Sequence, residues 1–368
     1  MIGTIILFLV LLSLLVFVHE LGHFWMARRA GMKVDEFGFG FPPRLFGIKR
    51  KGTTYSINWI PLGGFVKIKG ESGSHTDESD SFAAKSAWRR FLVLIAGVGM
   101  NVVLAAALFG IGFMVGLPSV ILDDVSARAH VRDEAIRIVQ VLTDSPAEAA
   151  GLKLGDVVVS VDDQLFSGVE PLYDYLGAQE DPMEFLLRRG DGFVTQTVSR
   201  GAINGYEGDL LGIQIVRTGF VSYSFFEAIG RGVVTSVTMT GAVVVAFVDL
   251  IRDLIVTSSV SVDVSGPVGI AVMTGEVADL GFSYLLQFAA ILSINLAVIN
   301  ALPFPALDGG RILFLAIEKL RRKKMSERVE ALTHNLGFLV LIGLVVLVTY
   351  RDLVRFGDEI LGAVKSVF

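Results

Sequence analysis

The chain has 368 residues, of which 52% are hydrophobic and only 19% charged, and its mean hydropathy is +0.63. Soluble domains carry about 25% charged residues, so this composition indicates a membrane protein. A net charge of −5 argues against nucleic-acid binding, and the lack of cysteine excludes disulfides, cysteine nucleophiles and thiolate metal sites. Any transition metal must therefore be held by His, Asp or Glu side chains.

Apolar residues are concentrated in four runs, which we interpret as transmembrane helices. No basic residue precedes the first run and no small-residue cleavage site follows it, which argues against a signal peptide. The four runs cover residues 2–25, 91–117, 284–302 and 336–350.

The charges of the connecting segments predict how these helices are oriented. The segments after the first and third runs are rich in Lys and Arg, whereas residues 118–283 are rich in Asp and Glu. The positive-inside rule therefore predicts cytoplasmic basic loops, with the acidic region and both termini outside.

Residues 232–250 are also apolar, but they contain several Thr and have charged neighbours. We interpret them as an interfacial helix, with a fifth span as the alternative.

Two segments outside the apolar runs show strand patterns. Residues 118–218 alternate short strand patterns with turn signals, which predicts a soluble domain. Thr54–Trp59 alternates at period two, Gly63 and Gly64 form a turn, and Phe65–Lys69 returns, which predicts a β-hairpin. These patterns predict a polytopic α-helical membrane protein with four transmembrane helices, a β-hairpin on the cytoplasmic side and one extracytoplasmic soluble domain.

The first apolar run ends in the sequence HELGH, formed by His19, Glu20 and His23 with two intervening residues. Positions i and i+4 of a helix share a face, so both imidazoles can bind one Zn²⁺ with Glu20 beside the metal-bound water. Zinc lowers the pKa of such a water to about 7, and the carboxylate acts as general base. Two satisfied polar histidines are the alternative, but ionisable residues inside a span are costly and usually functional.

A catalytic zinc needs a third protein ligand, and Asp308 is the candidate. It follows the third apolar run in the sequence LPFPALDGG, where two prolines break the helix and Gly309 and Gly310 permit close backbone approach. The predicted topology puts Asp308 on the cytoplasmic side, at the depth of the two histidines. The alternative is that Asp308 caps the helix that begins near Arg311. The pairing with HELGH favours metal ligation.

These two motifs together resemble the site-2 protease family of intramembrane zinc metalloproteases, in its bacterial regulator-of-sigma-E protease branch. The resemblance extends over nearly the whole chain and implies that His19, His23 and Asp308 are zinc ligands and Glu20 the general base. It also implies that Asn295 and Asn300 bind substrate or stabilise an oxyanion. For Asn295, hydrogen bonding between membrane helices is the alternative.

Other stretches are similar to the same family. The residues Gly38, Phe39 and Gly40 resemble its substrate-binding GFG loop, and the following strands resemble its membrane-associated hairpin. An open strand edge there could pair with the substrate backbone, while a hairpin resting on the membrane is the alternative. Residues 144–156 resemble the family's PDZ domain, which implies an extracytoplasmic domain that filters substrates by size or binds C-termini. With these resemblances, the predicted fold class is a polytopic α-helical membrane protein with four transmembrane helices, a cytoplasmic-side membrane-associated β-hairpin and one extracytoplasmic α+β PDZ domain. In the second span Gly97 and Asn101 match the family, but its usual following proline is missing, and the sequence assigns Asn101 no role.

The resemblance implies cleavage of membrane-protein substrates such as anti-sigma factors and remnant signal peptides, after an upstream site-1 protease, in the lipid bilayer of the bacterial inner membrane. The alternative function is a non-proteolytic membrane PDZ scaffold with a structural metal site.

The predicted divisions of the chain are 1–30 (first span), 31–90 (cytoplasmic loop and hairpin), 91–117 (second span), 118–218 (PDZ domain), 219–283 (interfacial helix and linker), 284–320 (third span and LDGG), 321–335 (basic loop), 336–350 (fourth span) and 351–368 (outer tail).

Overall fold

The computed structural model describes residues 2–71, 75–121, 129–142, 144–179, 182–190, 192–203, 208–256, 265–323 and 325–357. Parts of the predicted cytoplasmic loop, linker, basic loop and outer tail lie outside these ranges, at residues 72–74, 257–264, 324 and 358–368. The chain divides into two compact units, Met1–Gly112 with Phe226–Phe368, and Phe113–Phe225.

The α-helices and β-strands of the described residues follow in chain order. The helices are α1 (Ile2–Arg29), α2 (Ala87–Val115), α3 (Pro146–Ala149), α4 (Val169–Ala178), α5 (Phe225–Val256), α6 (Pro267–Leu280), α7 (Phe282–Ala301), α8 (Asp308–Arg321) and α9 (Glu327–Arg355). The strands are β1 (Val34–Arg50), β2 (Thr53–Ile68), β3 (Leu117–Val120), β4 (His130–Val141), β5 (Val157–Val161), β6 (Met183–Arg189), β7 (Gly192–Val198), β8 (Gly201–Ala202), β9 (Asp209–Leu210) and β10 (Ile213–Ser222).

Five helices of the described residues are long and apolar enough to cross a membrane, judged by length and composition. Four of them, α1, α2, α7 and α9, cover the predicted spans to within two residues. The fifth is α5, whose 32 residues extend well beyond the predicted 232–250 segment at both ends. Helix α9 is also longer than its apolar run, because it begins at Glu327 and continues to Arg355. The predicted basic loop at 321–335 is therefore wrong as a loop, since most of it is helical.

The membrane helices pack through close backbone contacts. Gly22 of α1 faces α2 so closely that a Cβ atom there would lie 2.7 Å from Cγ of Met100. Gly275 of α6 faces Thr4 near the start of α1 in the same way. The buried Asp352 of α9 accepts hydrogen bonds from the first backbone N–H groups of α6, at Gly266 (3.2 Å) and Gly269 (2.8 Å). These contacts tie α1 to α2 and α6, and α6 to α9.

The hairpin prediction is wrong in its pairing. Strands β1 and β2 both bend, so that they form four adjacent strand segments instead of one simple hairpin. The predicted strands at residues 54–59 and 65–69 do not pair with each other; parts of them, 54–57 and 65–68, lie on the two sides of the segment around Phe37–Phe39. Strand β1 reverses direction between Phe41 and Arg44. Just before the reversal, Gly40 has a φ of +82°, and its carbonyl accepts a hydrogen bond from Asn58 Nδ2 (2.8 Å). The GFG residues thus lie in a strand segment, immediately before its bend.

The second unit is an α+β domain, as its sequence pattern predicts. Its six-stranded sheet has the order β3-β10-β4-β5-β6-β7, and β8 and β9 form a separate pair. The core lies between the sheet and helices α3 and α4, and its fully buried side chains include Ile138, Leu172 and Phe185. The buried carboxylate of Asp156 receives two hydrogen bonds from Arg189, each 2.7 Å long.

Candidate metal centre

Three side chains from two distant parts of the chain converge at the end of α1. The Nε2 atoms of His19 and His23 are 3.1 Å apart. The Oδ2 atom of Asp308 lies 3.0 Å from the first and 3.2 Å from the second. Ligand atoms of a tetrahedral zinc, at about 2.0–2.1 Å from the metal, are about 3.3–3.4 Å apart. The three lone-pair atoms therefore form a triangle of the size that a zinc ion requires.

The surroundings of these atoms suit a bound cation. His19 is 6% and His23 7% exposed, and the Asp308 side chain is 16% exposed. The Oδ2 atom of Asp308 is buried and has no hydrogen-bond partner among the described residues, so it keeps a lone pair for a cation. Two nitrogen donors and one carboxylate are a typical donor set for catalytic zinc, which keeps its fourth position for water or substrate.

Asp308 does not act as a helix cap. It is the first residue of α8, Leu307 occupies the capping position, and no side-chain hydrogen bond caps this helix. The alternative prediction for this residue is therefore wrong. Gly309 and Gly310 pack directly on the carbonyl groups of Ala301 and Phe304, where a Cβ atom could not fit. This close contact brings the start of α8 back against the end of α7, as the glycine pair predicts.

Two ion pairs fix α8 beside the other elements of the site. Arg90 of α2 donates to Glu318 of α8 over 2.7 Å, and both side chains are nearly buried. One turn after Asp308, Arg311 pairs with Glu71, which follows β2. Because breaking a buried pair leaves an uncompensated charge, these pairs hold α8 in one position relative to α2 and the sheet.

The segment before Asp308 is held by α9. Ala306 has a left-handed φ of +78°, and its N–H donates to Nδ1 of His334 over 2.8 Å. One turn later in α9, Gly337 lies so close to Pro305 that a Cβ atom would meet the Pro305 carbonyl carbon at 2.7 Å. His334, which the sequence does not connect with the metal, therefore anchors the loop that presents the aspartate.

Glu20 and the GFG residues lie on the sheet side of α1. Gly64 of β2 packs against Glu20, where an added Cβ would lie 3.0 Å from Cγ of the glutamate. Glu20 is also close enough to His23 and Asp308 to interact with them electrostatically. The ring of Phe39 lies 6.2 Å from that of Phe17, one turn before Glu20. The structure thus brings Glu20 and Phe39 of the GFG segment to one end of α1.

The two candidate asparagines of α7 point in different directions. Asn300 is seven residues after Ser293, whose hydroxyl donates to the Asn101 carbonyl of α2 over 2.8 Å. Two helical turns separate these positions, so Asn300 shares the face that looks toward α2. Asn295 is two residues after Ser293, and this spacing puts it on the opposite face of α7. Helical spacing therefore favours Asn300 as the asparagine nearer the candidate metal centre.

Three residues of α2 contact the histidines without having been assigned a role from the sequence. The carbonyl of Val93 lies 2.9 Å from Nδ1 of His23, and Nδ2 of Asn101 lies 3.5 Å from Nδ1 of His19. Between them, Gly97 leaves room for the imidazoles, since a Cβ there would lie 2.6 Å from Cε1 of His23. The four-residue spacing is the only sequence signal that marks these positions as one face.

Comparisons with known proteins agree with this chemistry. The chain is 34% identical to "Putative zinc metalloprotease CPE1693" of Clostridium perfringens over 95% of its own length and 98% of that protein. It is 30% identical to "Zinc metalloprotease RasP" of Geobacillus kaustophilus, covering 96% of this chain and 98% of that one. The PDZ domain of an SdrC-like protein from Listeria monocytogenes matches 23% of the chain and 92% of its own, with 23% identity and a TM-score of 0.21.

The family assignment rests on nearly the full length of the sequence. Residues 7–344 match the profile of Peptidase family M50, so the match includes HELGH, the second span and the LDGG segment. The three side chains of the candidate metal centre lie inside this region. The chain belongs to peptidase family M50 and is an intramembrane zinc metalloprotease.

Proposed function

We propose that this metalloprotease hydrolyses peptide bonds within or next to transmembrane segments of other membrane proteins, with His19, His23 and Asp308 as its zinc ligands. The observation that carries the proposal is the buried triangle of two imidazole nitrogens and one carboxylate oxygen at the end of an apolar helix. When bound, zinc supplies a Lewis acid that activates water and polarises the scissile carbonyl. Three ligands from the chain leave a coordination position for that chemistry.

Glu20 is proposed as the general base. It lies between the two histidines in sequence, and it is outside the ligand triangle yet within electrostatic range of it. A carboxylate in this position can take the proton of the attacking water and pass it to the leaving amine. Ligation does not require Glu20, so its presence favours catalysis over a structural metal site.

The strand segment at residues 64–68 is proposed to bind the substrate backbone. One of its edges pairs with the Phe37–Phe39 segment, and no other strand of the described residues pairs with the opposite edge. Gly64, at its start, lies against Glu20. A helical substrate shields its carbonyl groups, so an extended stretch must form before hydrolysis, and an open edge can stabilise it by β-augmentation. Asn300 is proposed to donate to the carbonyl oxygen that becomes negatively charged.

The second unit is proposed to be an extracytoplasmic PDZ domain that restricts access to the protease. Its six-stranded sheet and short helices fit an α+β domain, and residues 144–156 resemble the PDZ domain of the family. We propose single-span proteins, such as anti-sigma factors and remnant signal peptides, as substrates after trimming by an upstream protease. The proposed location is the bacterial inner membrane, with both termini outside and the metal site near the cytoplasmic face.

Four spans and an interfacial α5 are proposed for the membrane topology. Helix α5 approaches α2 closely at Gly232, which lies against Gly110. Because the chain has no cysteine, single cysteine substitutions can be labelled without background. Val256→Cys, at the end of α5, should react with a membrane-impermeant maleimide from outside, like Ser167→Cys and unlike Lys51→Cys. Labelling of Val256→Cys only after the membrane is opened would mean that α5 crosses the bilayer.

The proposed mechanism is tested with purified full-length protein and a single-span substrate that lacks a bulky outer domain. Glu20→Gln should retain zinc and lose cleavage, because the ligands remain while the base is neutralised. His23→Ala should lose zinc and activity together, and Asp308→Asn should lose activity. Glu276→Gln, on the exposed face of α6, is the matched control and should cleave normally. Cleavage by Glu20→Gln at the wild-type rate would refute the assignment of the base.

A further inference from the structure

One face of α2 lies against both zinc-binding imidazoles. Val93, Gly97 and Asn101 are spaced four residues apart and therefore form a single stripe along the helix. Val93 is 1% and Asn101 0% exposed. The carbonyl of Val93 faces His23 and the side-chain amide of Asn101 faces His19. Between them, Gly97 has no side chain and so leaves room for both rings.

The orientation of each imidazole determines what its second nitrogen needs. Both rings point Nε2 at Asp308, so Nε2 is the metal-binding atom and Nδ1 carries the hydrogen. A metal-bound histidine usually donates this hydrogen to a carbonyl or carboxylate, which fixes the ring and strengthens the ligand. For His23 the carbonyl of Val93 serves this purpose at 2.9 Å. For His19, the group that faces Nδ1 is the side-chain amide of Asn101.

The Asn101 amide is buried with one polar atom unused. Its Nδ2 faces Nδ1 of His19 at 3.5 Å, while its Oδ1 is buried without a hydrogen-bond partner among the described residues. With Nε2 of His19 on a metal, the two facing nitrogens would both be donors. A half-turn of the amide exchanges nitrogen and oxygen with almost no change in shape. The oxygen then accepts from Nδ1–H of His19.

We propose that Asn101 is a positioning residue whose amide oxygen holds His19 in its metal-binding orientation, as the Val93 carbonyl holds His23. This inference rests on the zinc ligands of the proposed function. The backbone carbonyl of Asn101 accepts a hydrogen bond from Ser293 of α7 over 2.8 Å, a contact that does not involve the side-chain amide. Helix α2 thus contributes to zinc affinity although it supplies no ligand.

The test measures zinc release from full-length protein in detergent, with a chromophoric chelator as the acceptor. Asn101→Leu has nearly the same shape but no acceptor, and it should weaken zinc binding by about 10- to 100-fold. Asn101→Asp supplies a stronger acceptor and should bind zinc at least as tightly as wild type. Ser293→Ala loses only the contact to the backbone of Asn101, so it is the control for packing and should bind zinc normally.

Three outcomes would overturn the proposal. They are normal zinc affinity in a folded Asn101→Leu protein, an equal loss of affinity in Ser293→Ala, or faster zinc release from Asn101→Asp than from wild type. The last comparison decides the question even if Asn101→Leu does not fold. His23→Ala in the same assay separates the two proposals, because retention of zinc by that variant would refute the ligand set itself.

Discussion

Gly97→Ala is predicted to abolish high-affinity zinc binding without unfolding the protein. The added Cβ would lie 2.6 Å from Cε1 of His23 and 2.9 Å from Cε1 of His19. Carbon atoms pack at about 3.5–4.0 Å, so the nearer ring must retreat by about 0.9 Å or α2 must move away by a similar distance. Zinc–ligand distances tolerate only about 0.2 Å. We therefore expect at least about a 100-fold loss of zinc affinity if one of three ligands is displaced.

Gly99→Ala is the matched control for this prediction. Gly99 lies in the same helix two residues later, is exposed, and has nothing within 4 Å of an added Cβ. Alanine there should leave zinc affinity unchanged and stabilise α2 by up to about 1 kcal/mol. Crowding at residue 97 should cost about 1–3 kcal/mol of stability. Normal zinc content and affinity in Gly97→Ala, measured by metal analysis and competition with a chelator, would refute the predicted crowding.

Three further predictions concern stability and the metal. Asp352→Ala should lower the unfolding free energy by about 3 kcal/mol, because two buried N–H groups lose a charged acceptor; an unchanged thermal midpoint would contradict this. Asp156→Ala should destabilise the second unit by about 3 kcal/mol, because Arg189 loses its buried partner, and proteolysis within that unit should accelerate; equal digestion rates would argue against it. Zinc removal should abolish cleavage and lower the thermal midpoint, and added Zn²⁺ should restore both; chelator-resistant cleavage would exclude a metal mechanism.

The three side chains of the candidate metal centre could be predicted to meet because their signals are local. His19 and His23 are one helical turn apart, and the prolines before Asp308 mark a broken helix on the same predicted side of the membrane. The long apolar helices were also predictable from composition. The ends of α5 and α9 were not, because apolar runs do not show how far polar turns extend a helix.

The parts that sequence reasoning missed depend on contacts between distant segments. Period-two alternation identifies strands but not their partners, so residues 54–59 and 65–69 were paired with each other although parts of both pair with Phe37–Phe39. The role proposed for Asn101 could not be predicted for the same reason. It depends on the contact between its buried amide and the imidazole of His19, which lies in another helix. His334 likewise contacts Ala306, which lies 28 residues earlier in the chain, in the segment before Asp308.

The carboxylate of Asp352 has a consequence for how the protein is made. Helix α6 begins with backbone N–H groups that have no partner within their own helix, and such groups are costly away from water. Their acceptor lies more than 80 residues later in the chain and therefore leaves the ribosome well after α6. Helix α6 should therefore reach its final packing only after α9 has been inserted, so ribosome-bound chains that end before residue 352 should be cleaved by proteases near Gly266.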